Sequence, residues 1–389
     1  MQRPDAVTGW RSPRTPAGLA AVLFAALLLA SGAPVRAGAV QADREIVVPT
    51  ELCRGFWFIP VTLQPRDREA PSRTLWFLHD TGASNSYVDP DSLERVTGRR
   101  LEANRRVRIV DASAGPVRFN RLSVRVDELD HLSIALGREI DGILSVHTFD
   151  DFLQILDYPG REMRLRTGAL PRPDGRSVFS SRGPDRRPWV EVDFAGRTQR
   201  LLVDSGAAGT AFAVNDIDDF ALLAPARPLA GAVRFNRLEA RRIARLDGQA
   251  ELAGLRFDSP VLEEVPNSPL LGGEALRRYV VVLDQTRRRV AFYPTESGPV
   301  AAEPAFEFGA VLRPRLEGLE VERLFPETPF AEAGLRRGDL ITHFDGQPVA
   351  ERGCSRAQHS GQIELRVLRD GADQTIPVNL WPVLPAPGP

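Results

Sequence analysis

Asp80-Thr81-Gly82-Ala83 recurs, almost unchanged, as Asp204-Ser205-Gly206-Ala207. Each copy closes an apolar run of strand type: Leu75-Trp76-Phe77-Leu78-His79 before the first and Leu201-Leu202-Val203 before the second. Two carboxyl groups brought close together on such turns cannot both ionise and come to share one proton. Such a pair suits acid–base chemistry, one group accepting a proton while the other holds one. A single tetrapeptide of this kind is a weak signal. The surroundings repeat as well, however, since Arg73-Thr74-x-x-x-Leu78-x-Asp80 returns in register as Arg197-Thr198-x-x-x-Leu202-x-Asp204. The chain therefore carries one half-site twice.

Strands must position these turns. Trp57-Phe58-Ile59-Pro60-Val61 and Trp189-Val190-Glu191-Val192 read as the strand preceding each acid-bearing run. Downstream lie Asp141-Gly142-Ile143-Leu144-Ser145 in one half and Leu270-Leu271-Gly272-Gly273 in the other, each followed by a pair of apolar runs. These pairs are Leu153–Asp157 with Met163–Leu165, and Val280–Asp284 with Val290–Tyr293. Helical periodicity is scarce; short helices are expected near Pro90–Val96, Phe149–Leu153 and Glu274–Tyr279. A second repeat, Gly115–Leu122 against Gly231–Leu238, shares six consecutive identical residues. It reads either as equivalent strands displaced by an insertion near Asp89–Arg99 or as coincidence. Pro- and Gly-rich stretches at 170–175 and 183–185, and again from Pro294 to Pro304, mark connections between units.

As a set, these motifs over roughly residues 46 to 297 resemble the retropepsin-like and pepsin-like aspartic proteases. The resemblance implies a mainly β fold: two β-barrel lobes related by a pseudo-two-fold axis, at residues 46–168 and 188–297. It makes Asp80 and Asp204 the catalytic acid and base. Thr81 and Ser205 would hydrogen-bond across the axis, with Gly82 and Gly206 allowing the backbone to approach the carboxylates. Alanine after each glycine, as in the retroviral-like members, removes a hydroxyl that would stabilise the ionised pair, which points to activity extending toward neutral pH. With both halves in one chain, a monomer is expected. The segment 106–115 reads as a hairpin, either a lid over the cleft or an ordinary surface hairpin. His79 departs from the usual apolar residue before the acid, and strand alternation points it away from Asp80.

From Phe306 the pattern changes. Pro329-Phe330-Ala331-Glu332-Ala333-Gly334-Leu335-Arg336-Arg337-Gly338-Asp339-Leu340-Ile341 is similar to the centre of bacterial PDZ domains, and implies a small α+β domain over 306–383. Pro329 suits a helix N-terminus and Gly334 its end. Between Val349 and Ile363 there is too little chain for the second helix that walls the peptide groove in that family. A peptide or protein ligand of this domain, and a packing or gating role without one, both stay open.

The remaining features bound the function. A net charge of −1, with arginine as the sole basic residue besides histidine, gives no electrostatic footprint for nucleic acid. The five histidines show no metal-ligand spacing, and no metal or cofactor is called for. Arg3, Arg11 and Arg14 precede an apolar run from Ala17 to Ala30 and the small-residue end Val35-Arg36-Ala37, the pattern of a secretory signal over 1–37. Export to the periplasm or beyond is the expectation, with an uncleaved anchor and a buried helix as alternatives. Cys53 and Cys354 either pair or stand as two independent thiols. The substrate expected is a polypeptide. An inactive protease fold serving as a scaffold is the second reading, and a serine protease is set aside because no Gly-x-Ser-x-Gly nucleophile motif is present.

Overall fold

In the computed structural model of this chain, residues 45–64, 72–119, 121–183, 185–233, 238–266, 268–354 and 361–387 are described. The segment 1–37, expected to be a secretory signal, lies outside them. Among these residues the fold is mainly β, and no helix is long and apolar enough to cross a membrane.

The runs of β-branched and aromatic residues form two nine-stranded sheets with a common plan. In the first, Phe56–Leu63 pairs antiparallel with Arg73–Asp80, which runs parallel to Gly142–Ser145. That strand is antiparallel to Tyr87–Val88, which is parallel to Leu122–Val126, and Arg106–Ile109 closes the edge. The second sheet repeats each of these relations with Trp189–Phe194, Arg197–Val203, Leu270–Leu271, Phe212–Val214, Val261–Glu264 and Leu238–Arg245. On the opposite edge, the hairpin Ala112–Phe119 of the first sheet matches the hairpin Gln249–Asp258 of the second. Both acid-bearing strands are thus flanked on either side, and their ends are fixed by hydrogen bonds rather than left as loops.

A third sheet joins the halves. Leu153–Asp157 pairs with Glu162–Arg166, Tyr279–Asp284 pairs with Arg289–Pro294, and the two hairpins meet through Leu153–Asp157 and Tyr279–Asp284. A large apolar core fills the space between these layers, with Trp57, Phe77, Phe212 and Tyr279 all fully buried.

Three elements lack a counterpart in the other half. The helix Asp130–Leu136 and the strand Glu51–Cys53 belong to the first, and the strand Arg227–Val233, hairpinned to Leu238–Arg245, to the second. The helix Pro90–Thr97 forms where Asp89 caps the N-terminus through its carboxylate, Pro90 starts the helix and Gly98 takes the left-handed conformation at its end.

Three local expectations are corrected. No helix spans Phe149–Leu153; a 3-10 turn at Val146–Phe149 precedes the strand Leu153–Asp157, because the apolar run is wholly buried in the joining sheet. Near Glu274–Tyr279 a single helical turn occupies Gly273–Leu276, and Tyr279 already starts a strand. The second repeat is not an equivalence, since Val117–Phe119 pairs with Ala112–Ala114, whereas Gly231 lies in the extra strand Arg227–Val233.

The C-terminal residues form a five-strand path in the order Ala310–Arg315, Gly318–Leu324, Leu340–Phe344, Gly361–Arg369 and Ala372–Leu380, with one helical turn at Pro329–Glu332. Asp339 is buried and held from two sides by the Arg369 guanidinium at 2.7 and 2.6 Å. Such a two-pronged pair is the strong form of a charge-assisted hydrogen bond. Ala305–Phe306 and Pro382–Leu384 pair to close the unit.

Candidate active site

The two acid-bearing turns meet back to back. The Thr81 amide donates to Ser205 Oγ at 3.0 Å, and the Ser205 amide donates to Thr81 Oγ1 at 3.0 Å. Each hydroxyl then donates onward into the opposite strand, Thr81 to the Val203 carbonyl at 2.7 Å and Ser205 to the His79 carbonyl at 2.8 Å. Both side chains are fully buried, so all four polar groups find partners only in each other's half.

This lattice carries the carboxyl groups into contact. The Gly82 and Ala83 amides donate to Asp80 Oδ1 at 2.8 and 3.0 Å, and the Gly206 amide donates to Asp204 Oδ1 at 2.8 Å. A Cβ at Gly82 would fall 2.5 Å from the Asp204 carboxyl carbon, and one at Gly206 would fall 2.6 Å from that of Asp80. Both glycines are required by this close approach. The two carboxyl groups lie within hydrogen-bonding reach of one another. Burial, and after it the negative charge of Asp204, hold Asp80 well above the ordinary carboxyl range, to about 8; the Gly82 and Ala83 amides pull the other way. One proton therefore stays on the pair through neutral pH, which leaves one carboxylate to accept and one acid to donate.

The pair opens on a cleft of about 760 Å³. Phe56, Leu78, Leu132, Leu136 and Ile143 supply an apolar wall; Thr210, Arg241, Glu263, Ser268 and Glu307 supply a polar one. Arg187 also lines the cleft, its guanidinium donating to the Gly82 carbonyl at 2.6 Å and paired with Asp185. Arg187, Arg241, Glu263 and Glu307 went unnoticed in the sequence, since none belongs to a repeated motif and they come together only through long-range packing.

His79 is fully buried, edge-on to the Phe149 ring at 5.7 Å between centroids, and lies off the cleft. Burial pushes its imidazole down to about 4, which keeps it neutral. The segment 106–119 does not line the cleft. Ala112, Ala114, Val117 and Phe119 all turn into the core, so the hairpin they form is interior rather than free to close as a lid. Cys53 and Cys354 form a disulfide. Among the described residues the one grouping of three metal-type ligands is Glu51 with these two cysteines, whose sulfurs are already bonded to each other.

Comparison with known proteins bears on the C-terminal unit. The family profile of the PDZ domain matches residues 307–380. This segment is a PDZ domain. The PDZ region is also 35% identical over 71 residues to a probable periplasmic serine endoprotease DegP-like of Marinomonas sp. (strain MWYL1), covering 17% of this chain and 15% of that protein. Its namesake from Halomonas elongata is 33% identical over 91 residues, or 22% of this chain and 19% of that one. The chain thus spans less than a fifth of the length of these relatives. A retropepsin-like aspartic protease from Rickettsia conorii aligns with 33% of this chain and 94% of its own at 15% identity, with a TM-score of 0.23. At that score the likeness decides nothing about this chain.

The PDZ domain packs on the unmatched helix and on the unmatched strand of the second half. Ile134, from the helix Asp130–Leu136, sits in the PDZ core beside residues such as Phe330 and Leu335. Arg352 donates to the Ala135 carbonyl at 2.8 Å and Arg54 to the Leu136 carbonyl at 2.7 Å, which satisfies carbonyls at the helix C-terminus. On the other side, a Cβ on Gly231 would fall 2.8 Å from the Val311 Cα. Ala310–Arg315 is the edge strand of the PDZ sheet, so this edge lies against the hairpin of the second sheet. Between Val349 and Gly361 the described residues hold a 3-10 turn at Val349–Glu351.

Proposed function

We propose that the chain is an aspartic endopeptidase, in which Asp80 and Asp204 activate a water held between them for attack on a peptide carbonyl. The observation that carries this reading is the reciprocal lattice of Thr81 and Ser205, which fixes two carboxyl groups from opposite halves at one cleft. The carboxylate takes the water's proton as oxygen attacks; the protonated partner donates to the carbonyl oxygen, and the proton then passes to the leaving amine. No covalent intermediate forms.

In this reading lobes at 46–168 and 188–297 each supply one acid, Thr81, Gly82, Ser205 and Gly206 position them, and the PDZ domain completes the polar wall. The enzyme acts as a monomer, on polypeptides, after export directed by residues 1–37. The test is cleavage of an unfolded protein by purified chain, sensitive to a statine-type inhibitor and abolished in Asp80→Asn and in Asp204→Asn. Cleavage that survives both substitutions, or a folded protein that cleaves nothing, would overturn it and leave a scaffold as the better account.

A further inference from the structure

The two walls of the cleft differ in chemistry, and one polar group on it comes from the PDZ domain. Glu307 directly follows the strand Ala305–Phe306 and faces both the cleft of Asp80 and Asp204 and an adjoining pocket of about 290 Å³. Beside it, the Arg241 guanidinium pairs with Glu263 and donates to Thr210 Oγ1 at 3.0 Å. The one cation of this group is thus committed to Glu263. Among the described residues, Glu307 accepts no hydrogen bond.

We propose that Glu307 is a specificity residue, selecting substrates with a lysine or arginine side chain on the second-sheet side of the scissile bond and an apolar side chain on the other. This deepens the peptidase reading and rests on it. The charge count supports the choice of a cation: with Glu307 ionised, the trio with Arg241 and Glu263 carries one net negative charge, which an incoming cationic side chain cancels. Burial and then the neighbouring Glu263 raise the Glu307 carboxyl to about 8, with Arg241 opposing. A bound cation offsets both effects and favours the ionised form. An apolar side chain would instead leave a buried polar group without a partner, which a site discriminates against. The opposite wall, from Phe56 to Ile143, offers no charge and takes an apolar side chain by burial.

The experiment is a cleavage profile of wild-type, Glu307→Gln and Glu307→Lys proteins on a peptide library with one varied position on each side of the cut. Wild type should favour Lys and Arg over Met and Leu by about tenfold at one position, expressed in KM. Glu307→Gln should erase that preference, and Glu307→Lys should turn it toward Asp and Glu. A wild-type profile without cationic preference overturns the proposal whatever the variants do, and so does an unchanged profile in Glu307→Gln. In both cases cleavage that is lost in Asp80→Asn leaves the peptidase reading standing. Absence of any cleavage by the folded wild type overturns the two together.

Discussion

Strand for strand, the first and second sheets follow one plan, with eight strands in the same order and the same parallel and antiparallel relations. They differ in what has been added. The first gains the helix Asp130–Leu136 between the strands that end at Val126 and begin at Gly142; the second gains Arg227–Val233. The shared part carries the acid pair, and the unshared part carries the PDZ domain. Symmetry is kept where two groups must meet about an axis, and broken where a third body has to sit across the two halves.

If the halves are chemically equivalent, the largest effects should be equal ones. Asp80→Asn and Asp204→Asn should each lower kcat/KM by about a thousandfold or more, within the range of acid–base contributions and of transition-state groups acting as a unit. A tenfold or greater difference between them would break the equivalence. The unshared part predicts an unequal result: Ile134→Ala empties a site in the PDZ core and should cost about 2–4 kcal/mol of stability, seen by denaturant unfolding. It should do so without altering the Thr81–Ser205 lattice, so a melt showing unchanged stability would separate the helix from the PDZ domain.

Smaller still, Thr81→Val and Ser205→Ala each leave two buried backbone groups unpaired and should cost about 1–3 kcal/mol apiece. In the double variant the losses should not add, because the two hydroxyls share one network. The finest probe is pH. Asp80 is raised in the folded state, so folded protein keeps a proton that the unfolded chain has released; stability from this source is full in acid and falls as pH rises toward about 8. Melting temperatures from pH 5 to 9 should therefore decline more steeply in wild type than in Asp80→Asn. Activity should persist at neutral pH and fall as the shared proton leaves; an optimum confined below pH ~5 would contradict this assignment.

Much of the β architecture was legible because its signals are local. Short β-branched and apolar runs between turn residues set the strands, and duplication around Asp80 and Asp204 marked the two turns. What could not be read was long-range. The helix Asp130–Leu136 has no side-chain cap at Leu129 and buries just Ile134 of its own residues, so neither capping nor periodicity announces it. The segment 106–115 looked like one hairpin because turn residues and short strands occur alike at surfaces and inside cores; its two parts belong to different strand pairs. Identity between 115–122 and 231–238 misled in the same way, since sequence matching is blind to which strand a segment pairs with. Glu307 stands 103 residues beyond Asp204 (307 − 204), and its place on the cleft depends on how the PDZ domain docks.

The Cys53–Cys354 bond, with a sequence separation of 301, makes a covalent ring of nearly the whole folded chain, and both acid-bearing turns lie inside it. Any one backbone scission within that ring, such as one at 170–175, leaves two pieces still tied to each other. Such a nicked molecule would migrate as a single band until a thiol reductant was added.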